Sequence, residues 1–401
     1  LADAVVNAKP AVSRVVLALG ITQTIAWGSS YYLLAVLADP MSQETGIGSN
    51  LIFAAFSVSL LLSGALGPRV GRTIDRIGGR AVLICSNLCF AAGLAILAAS
   101  HSEAQIWAAW LFIGTGMGLG LYDAAFATLG VIYGTAARQP ITGITLIAGF
   151  ASTVSWPLTA ASESYMGWRD TCLAWAAVHL LIGIPLNSTL PKGAGHIAHG
   201  APDANPHIPM DRNMWLLAIA FAFGWTISTA MASQLPRLLE VCGAGKREAI
   251  LAGMLIGPAQ VAARLVEAGF LKRYHPLLSA RLSASLHPIA AVLLILSPAA
   301  IPMFTILHGA GNGILTIARG TVPLAIYGPE NYGYRLGILG APSRMAQAAA
   351  PLVFGMLISS LGAGTLYVSL CLGLATLAAF CAINLAGNLA GKSSAAAPPA
   401  G

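Results

Sequence analysis

Apolar runs of about twenty residues, broken by short polar connections, dominate the chain from residue 14 onward. A helix crossing the hydrocarbon core of a bilayer needs about 20 such residues, each rising about 1.5 Å. The runs show no period-two alternation, so strands are not expected. They predict twelve spanning helices, over 14–38, 48–70, 81–100, 104–132, 139–161, 168–189, 213–236, 249–271, 276–297, 299–326, 336–360 and 364–388. A longer stretch rich in Gly, Pro, Ala and His divides them into two sets of six. The expected organisation is an N-terminal segment (1–13), a six-helix bundle (14–190), a linker (191–211), a second six-helix bundle (212–390) and a disordered tail (391–401). The fold class is an all-α membrane protein. The first run, from Val15 to Leu37, is too long for a cleavable signal.

Composition agrees. Of 401 residues, 57% are hydrophobic and only 9% charged, against about 25% charged in a soluble domain. A water-soluble fold of this size could not cover so much apolar surface. The net charge of +7 raises the question of nucleic acid, but the basic residues are scattered singly along connections and form no basic face. Their placement orients the chain instead. With the N-terminus in the cytoplasm, 14 of the 21 Lys and Arg lie on the cytoplasmic side, while only Arg169, Arg237, Lys246 and Arg247 lie outside, as the positive-inside bias requires. Both termini are therefore expected in the cytoplasm, with the chain as a monomer in an inner (plasma) membrane. The six cysteines form no disulfide framework. Cys85 and Cys89 share a helix face, which fits a soft-metal or arsenite site but fits ordinary packing far better. His196, His199 and His207 in the linker read as solvated rather than as metal ligands.

The two sets of spans resemble each other. The fourth holds GTGMG (Gly114 to Gly118) and then Ile132-Tyr-Gly134; the tenth holds GAGNG (Gly309 to Gly313) and then Ile326-Tyr-Gly328. Internal repeats of this kind place a binding site between the halves, near the membrane midplane.

Between spans two and three stands Gly71-Arg-Thr-Ile-Asp75-Arg76-Ile-Gly78-Gly79-Arg80. It resembles the loop signature of the major facilitator superfamily, G-x-x-x-D-R-x-G-R-R, matching at Gly71, Asp75, Arg76, Gly78 and Arg80 and departing at Gly79. The glycines allow a tight turn and close helix ends. Asp75 is suited to cap the next helix or to pair with an arginine, latching the cytoplasmic side. Gly167-Trp168-Arg169 is similar to the same superfamily at the start of span six. The resemblance covers essentially the whole chain and implies a transporter, not an enzyme, with no cofactor and no resident metal.

Three stretches look like the oxalate:formate antiporter and monocarboxylate porter branch: Tyr31 to Pro40, Gly114-x-Gly116-x-Gly118-x-x-x-Tyr122, and Asn331-Tyr332-Gly333. That branch implies basic residues in spans eight and eleven holding a carboxylate, here Arg264 and Arg344. Leu265 stands where the branch has proline, and Arg344 lies about five residues beyond the branch's lysine. The Gly-Pro motif of drug:proton antiporters is absent from span five.

The charges inside the spans carry the remaining signal: Asp123, Arg264, Glu267, Arg319 and Arg344. Each costs about 2.5–3.5 kcal/mol on the insertion scale. At about 1.5 Å per residue, all but Glu267 fall about 12–15 Å from the inner end, in one layer. Arg264 and Glu267 are three residues apart and can neutralise each other; Asp123 can pair with Arg319 or Arg344. Three arginines facing two acids leave one positive charge for an anionic substrate. The substrate-binding candidates are Arg264, Arg344, Tyr31, Trp27, Tyr122 and Asn312. The coupling or gating candidates are Asp123, Glu267 and Arg319. His179 and His308 read as hydrogen-bond partners between helices. The expected function is secondary transport of a small organic anion, coupled to protons or to a second anion. Efflux of a drug or metalloid is the rival within the fold, and a membrane receptor or sensor the rival outside it.

Overall fold

A computed structural model describes residues 11–191 and 208–384, and among these every regular element is helical. The expected N-terminal segment, most of the linker with its three histidines, and the tail lie outside the described residues. Eight helical stretches among the described residues are long and apolar enough to cross a bilayer. Of these, Glu103–Ser188 holds three spans and Tyr332–Ala382 holds two, which makes eleven; the first span, Val12–Gly28 continued by Leu34–Thr45, is the twelfth.

The breaks follow local chemistry. Spans two (Ser49–Ile77) and three (Gly79–Ala98) meet at Gly78, whose φ of +82° lies where L side chains rarely go. Gly71 to Arg76 are therefore the last turns of a helix, and the connection is shorter than the sequence suggested. Spans five and six join at Gly167, also at φ +82°, inside the run Ala151–Val178. Span six contains a π-helical turn, His179–Gly183. The fourth span is Glu103–Gly120 followed by Tyr122–Tyr133, and the eighth is Lys246–Gly253 followed by Ile256–Gly269. Spans seven, nine, ten and eleven are Arg212–Val241, Pro276–Leu296, Ile301–Tyr327 and Tyr332–Leu361.

The repeat seen in the sequence holds at the level of packing. In span four, a Cβ on Gly114 or Gly118 would press on Ser59 or Ser63 of span two, and one on Gly116 on Phe90 of span three. In span ten, a Cβ on Gly309 or Gly313 would press on Ile256 or Gln260 of span eight, and one on Gly311 on Ser283 of span nine. The Ser86 hydroxyl donates to the Gly116 carbonyl at 2.9 Å, and the Ser283 hydroxyl to the Gly311 carbonyl at 3.1 Å. Outer glycines face one neighbour and the middle glycine the other, in both halves.

The halves meet along spans two and eleven at the end of the molecule that carries Gly78, here the motif end. Gly67 and Gly71 lie against Gly337 and Gly333 so closely that a Cβ on Gly71 would overlap the Gly333 carbonyl, and one on Gly337 the Gly67 carbonyl. At the far end of the first half, Glu44 accepts from Trp168 Nε1 (2.6 Å) and Arg169 Nε (2.8 Å), tying spans one and six.

Candidate functional site

From the motif end inward, charged groups join the halves at three levels. The outermost is Asp75, whose carboxylate accepts from the backbone N–H of Gly333 and of Tyr334, both at 2.8 Å. Asp75 thus caps span eleven, in the other half, rather than the next helix. Negative charge at a helix N-terminus meets free N–H groups and the positive end of the helix dipole. Arg72 lies over the Tyr334 ring, 4.4 Å from its centroid. Gly71 packs on Gly333 of the other half, while the remaining motif residues stay in their own: Gly78 makes the turn, Arg80 donates to the Leu190 carbonyl at 3.3 Å, and Arg76 is exposed. Replacing Asp75 by Asn removes the charge and should loosen the motif end by about 1–2 kcal/mol. Spin-label distances between spans two and eleven would then show the open population rising about tenfold.

The second level corrects an expectation. Glu267 does not pair with Arg264. It accepts from Arg138 Nη2 at 3.0 Å and from the Ser279 hydroxyl at 2.7 Å, while Arg138 also donates to the Leu271 carbonyl. Arg138, which stands at the base of span five and reads in the sequence as an inner-loop basic residue, consumes the negative charge assigned to Arg264. Glu267 is 1% exposed.

At the third level Asp123 of span four receives a bidentate pair from Arg319 of span ten, 2.7 Å from Nε and 3.0 Å from Nη2. Arg319 also donates to Ser343 at 3.4 Å. Arg344 stands 4.0 Å from the same carboxylate, already claimed by Arg319. Arg264 has no acid within ion-pair distance among the described residues; it donates only to the carbonyls of Thr145 (3.2 Å) and Gly313 (3.4 Å). Both are buried, Arg344 at 7% and Arg264 at 4% exposure. The surplus in this layer is therefore two cations, not one. Each cation faces a glycine of the first half: Gly64 lies against the Arg344 stem, and Gly149 against the Arg264 guanidinium.

Beside the two arginines lies an aromatic cluster. Trp27 has its ring centroid 4.9 Å from Tyr31 and 5.2 Å from Tyr122, and Tyr31 meets Phe56 at 5.2 Å. Arg344 is close enough to act electrostatically on Tyr31, and Arg264 on Tyr32 and Tyr122. The Trp27 Nε1–H is buried without a hydrogen-bond partner among the described residues. The Tyr31 hydroxyl donates to Gln347 at 2.7 Å, across the halves. A small cavity, lined among others by Ser63, Gly67, Asp123, Gly333 and Arg344, runs from this layer along the glycine seam.

Asn312 is placed apart. It accepts from Ser228 at 2.7 Å inside the second half, in a different cavity. His179 is held by Ser29 (2.7 Å) and Asn87 (2.8 Å), as a helix-to-helix partner should be. Cys85 is exposed on span three. Sequence reasoning missed Arg138, Tyr32 and Gln347: a loop arginine, one tyrosine of a pair and a polar residue one turn from Arg344 give no spacing signal of their own.

Twelve helices in two bundles, with charged groups buried between them, define a multi-pass membrane transporter. Residues 19–307 match the sequence model of the Major Facilitator Superfamily. The chain belongs to that superfamily and is a transport protein, not an enzyme. It is 26% identical over 359 residues to a gentisate transporter of Corynebacterium glutamicum, a match covering 84% of this chain and 77% of that protein. Its fold is similar to that of the human organic anion transporter MFSD10 (TETRAN), with TM-score 0.73, 17% identity, and coverage of 92% of this chain and 100% of the other. It is also similar to the proton:xylose symporter XylE, with TM-score 0.67, 12% identity, and coverage of 93% and 96%.

Proposed function

We propose that this protein carries a small organic anion across an inner membrane by alternating access, as a monomer with both termini in the cytoplasm. The observation that carries the reading is the pair of buried arginines, Arg264 and Arg344, that lack an acid of their own. A buried, unneutralised cation is costly, and a carboxylate fits the planar fork of arginine. The aromatic cluster of Trp27, Tyr31 and Tyr122 supplies a flat apolar wall, which suits an aromatic acid; the similarity to a gentisate transporter supports the same class. Substrate neutralises the two arginines from the far side, while Asp123–Arg319, Glu267–Arg138 and Asp75 close the motif side. Asp123, Arg319 and Glu267 act as gating groups, since their pairs must break for the motif end to open. Two rigid bundles, divided by the linker at 191–211, rock about this layer.

The test is a reconstituted vesicle assay with benzoate, gentisate, short carboxylates, a cationic drug and arsenite. Exchange of labelled aromatic acid for unlabelled acid is the expected result. Movement of the drug or arsenite, with none of any carboxylate, would reverse the reading in favour of efflux.

A further inference from the structure

The cavity that holds Asn312 belongs to no part of the site described above. It lies inside the second half, between spans seven, nine, ten and twelve, and its polar lining is Ser228, Ser283, His287, His308, Asn312 and Thr376. His287 and His308 are 7% and 4% exposed, and their Nδ1 atoms are 3.1 Å apart. One Nδ1–H therefore donates to the other Nδ1. The Nε2 of His287 is buried without a hydrogen-bond partner among the described residues.

The internal repeat shows what these positions hold when only packing is required. The matched bonds Ser86–Gly116 and Ser283–Gly311 set the register of the two halves. Four residues after the serines stand Phe90 and His287. One residue before Gly114 and Gly309 stand Ile113 and His308. One residue after Gly116 and Gly311 stand Met117 and Asn312. Phe90, Ile113 and Met117 are buried apolar core. The second half has replaced all three by polar residues that line one cavity. The first half also keeps a buried histidine, His179, but both of its nitrogens are bonded. The contrast is between a closed network and one with an open nitrogen. Burying polar groups without partners is unfavourable, so packing does not explain the change.

We propose that His287 and His308 form a proton-binding site in the second half, loaded together with the anion; this rests on the reading that Arg264 binds the anion. In the neutral pair, the ring that donates through Nδ1 carries a lone pair on Nε2. A proton from cavity water forms an N–H bond there and gives an imidazolium, which keeps its hydrogen bond to the neutral partner ring. The groups that face the pair bear on its charge. Span seven presents Gly224, Ile227 and Ser228, span twelve Gly373 and Thr376, and spans nine and ten add Ser283, Asn312 and the Phe304 ring. No carboxylate lines the cavity. Of the buried charged groups on the neighbouring span eight, Glu267 is neutralised by Arg138, which leaves Arg264, bonded to Gly313, five residues along span ten from His308. That offset is about 7.5 Å along the helix. A cation about 10 Å away opposes protonation by about tenfold in affinity at an effective dielectric of about 20. An anion on Arg264 cancels the opposition, and by reciprocity the proton strengthens anion binding equally.

The repeat itself supplies the variant. His287→Phe with His308→Ile installs the residues that the first half packs at the same positions. Reconstituted wild type and variant are loaded with gentisate. Expected is gentisate exchange within about twofold of wild type in the variant at saturating gentisate, with accumulation driven by an inward proton gradient at least tenfold lower. Proton uptake on gentisate addition, read with a pH dye in weak buffer, should occur in wild type and vanish in the variant. Undiminished gradient-driven accumulation in the variant, or wild-type exchange with no proton taken up, overturns the proposal. Absence of gentisate and benzoate exchange in wild type would overturn the anion reading instead. In that event histidine ring NMR decides the site: one titrating pair lost in the variant upholds it, and no difference overturns it.

Discussion

Arg264→Gln and Arg344→Gln should each lower uptake of the transported anion, as kcat/KM, by at least about a hundredfold while leaving a protein as stable as wild type. The hundredfold corresponds to about 2.7 kcal/mol, the loss of one or two charge-assisted hydrogen bonds of about 1.5–3 kcal/mol each. The stability half of the result separates function from packing. Among the described residues neither arginine has an acid of its own, so a neutral amide relieves a buried charge rather than stranding one. Arg319→Gln should behave in the opposite way. It strips Asp123, partly buried and now bonded twice, of its bidentate partner and leaves only Arg344 at 4.0 Å, and losing these charge-assisted bonds costs about 1.5–3 kcal/mol. Thermal unfolding in detergent, followed beside transport, checks both halves. A marked loss of stability in Arg264→Gln would make that residue structural.

The second large effect belongs to the glycine seam. Gly71→Val and Gly337→Val should trap the transporter with its motif end open and abolish exchange, because the added Cβ would occupy the place of a backbone carbonyl of the other half. Side-chain-packed helices stand about 8–10 Å apart, and the seam would have to widen toward that value. Spin labels on spans two and eleven, together with thiol labelling from each side, would report the trapped state. Gly257→Ala is the control, since nothing lies within 4 Å of a Cβ there; alanine in that helix is neutral or mildly stabilising.

Much of this was legible in the chain. Hydrophobic run length alone gives the spans, because lipid leaves a helix no other way to satisfy its backbone. Glycine spacing located the repeat, and intramembrane charge picked out Asp123, Arg319 and Arg344, which the fold brings together. What escaped was the pairing. Arg264 and Glu267 are neighbours on one helix, and proximity in sequence suggested a bond that tertiary structure gives to Arg138. Spacing along a helix cannot reveal a competitor from another span. Asp75 escaped for the same reason: its motif is local, but its partners Gly333 and Tyr334 lie more than two hundred residues away. Asn312 stands among the expected binding residues with the arginines, whereas it faces Ser228 within the second half.

The matched glycines bear on how such a chain can change over generations. Where Gly116 and Gly311 sit, any side chain would press on Phe90 or on the Ser283 carbonyl, so those positions are fixed by the skeleton. The very next residues, Met117 and Asn312, differ completely in chemistry without disturbing it. Frame and cavity chemistry are interleaved along one helix at single-residue intervals. A carrier built this way can alter what it recognises by single substitutions while its architecture stays constant, and its two halves can drift toward separate tasks.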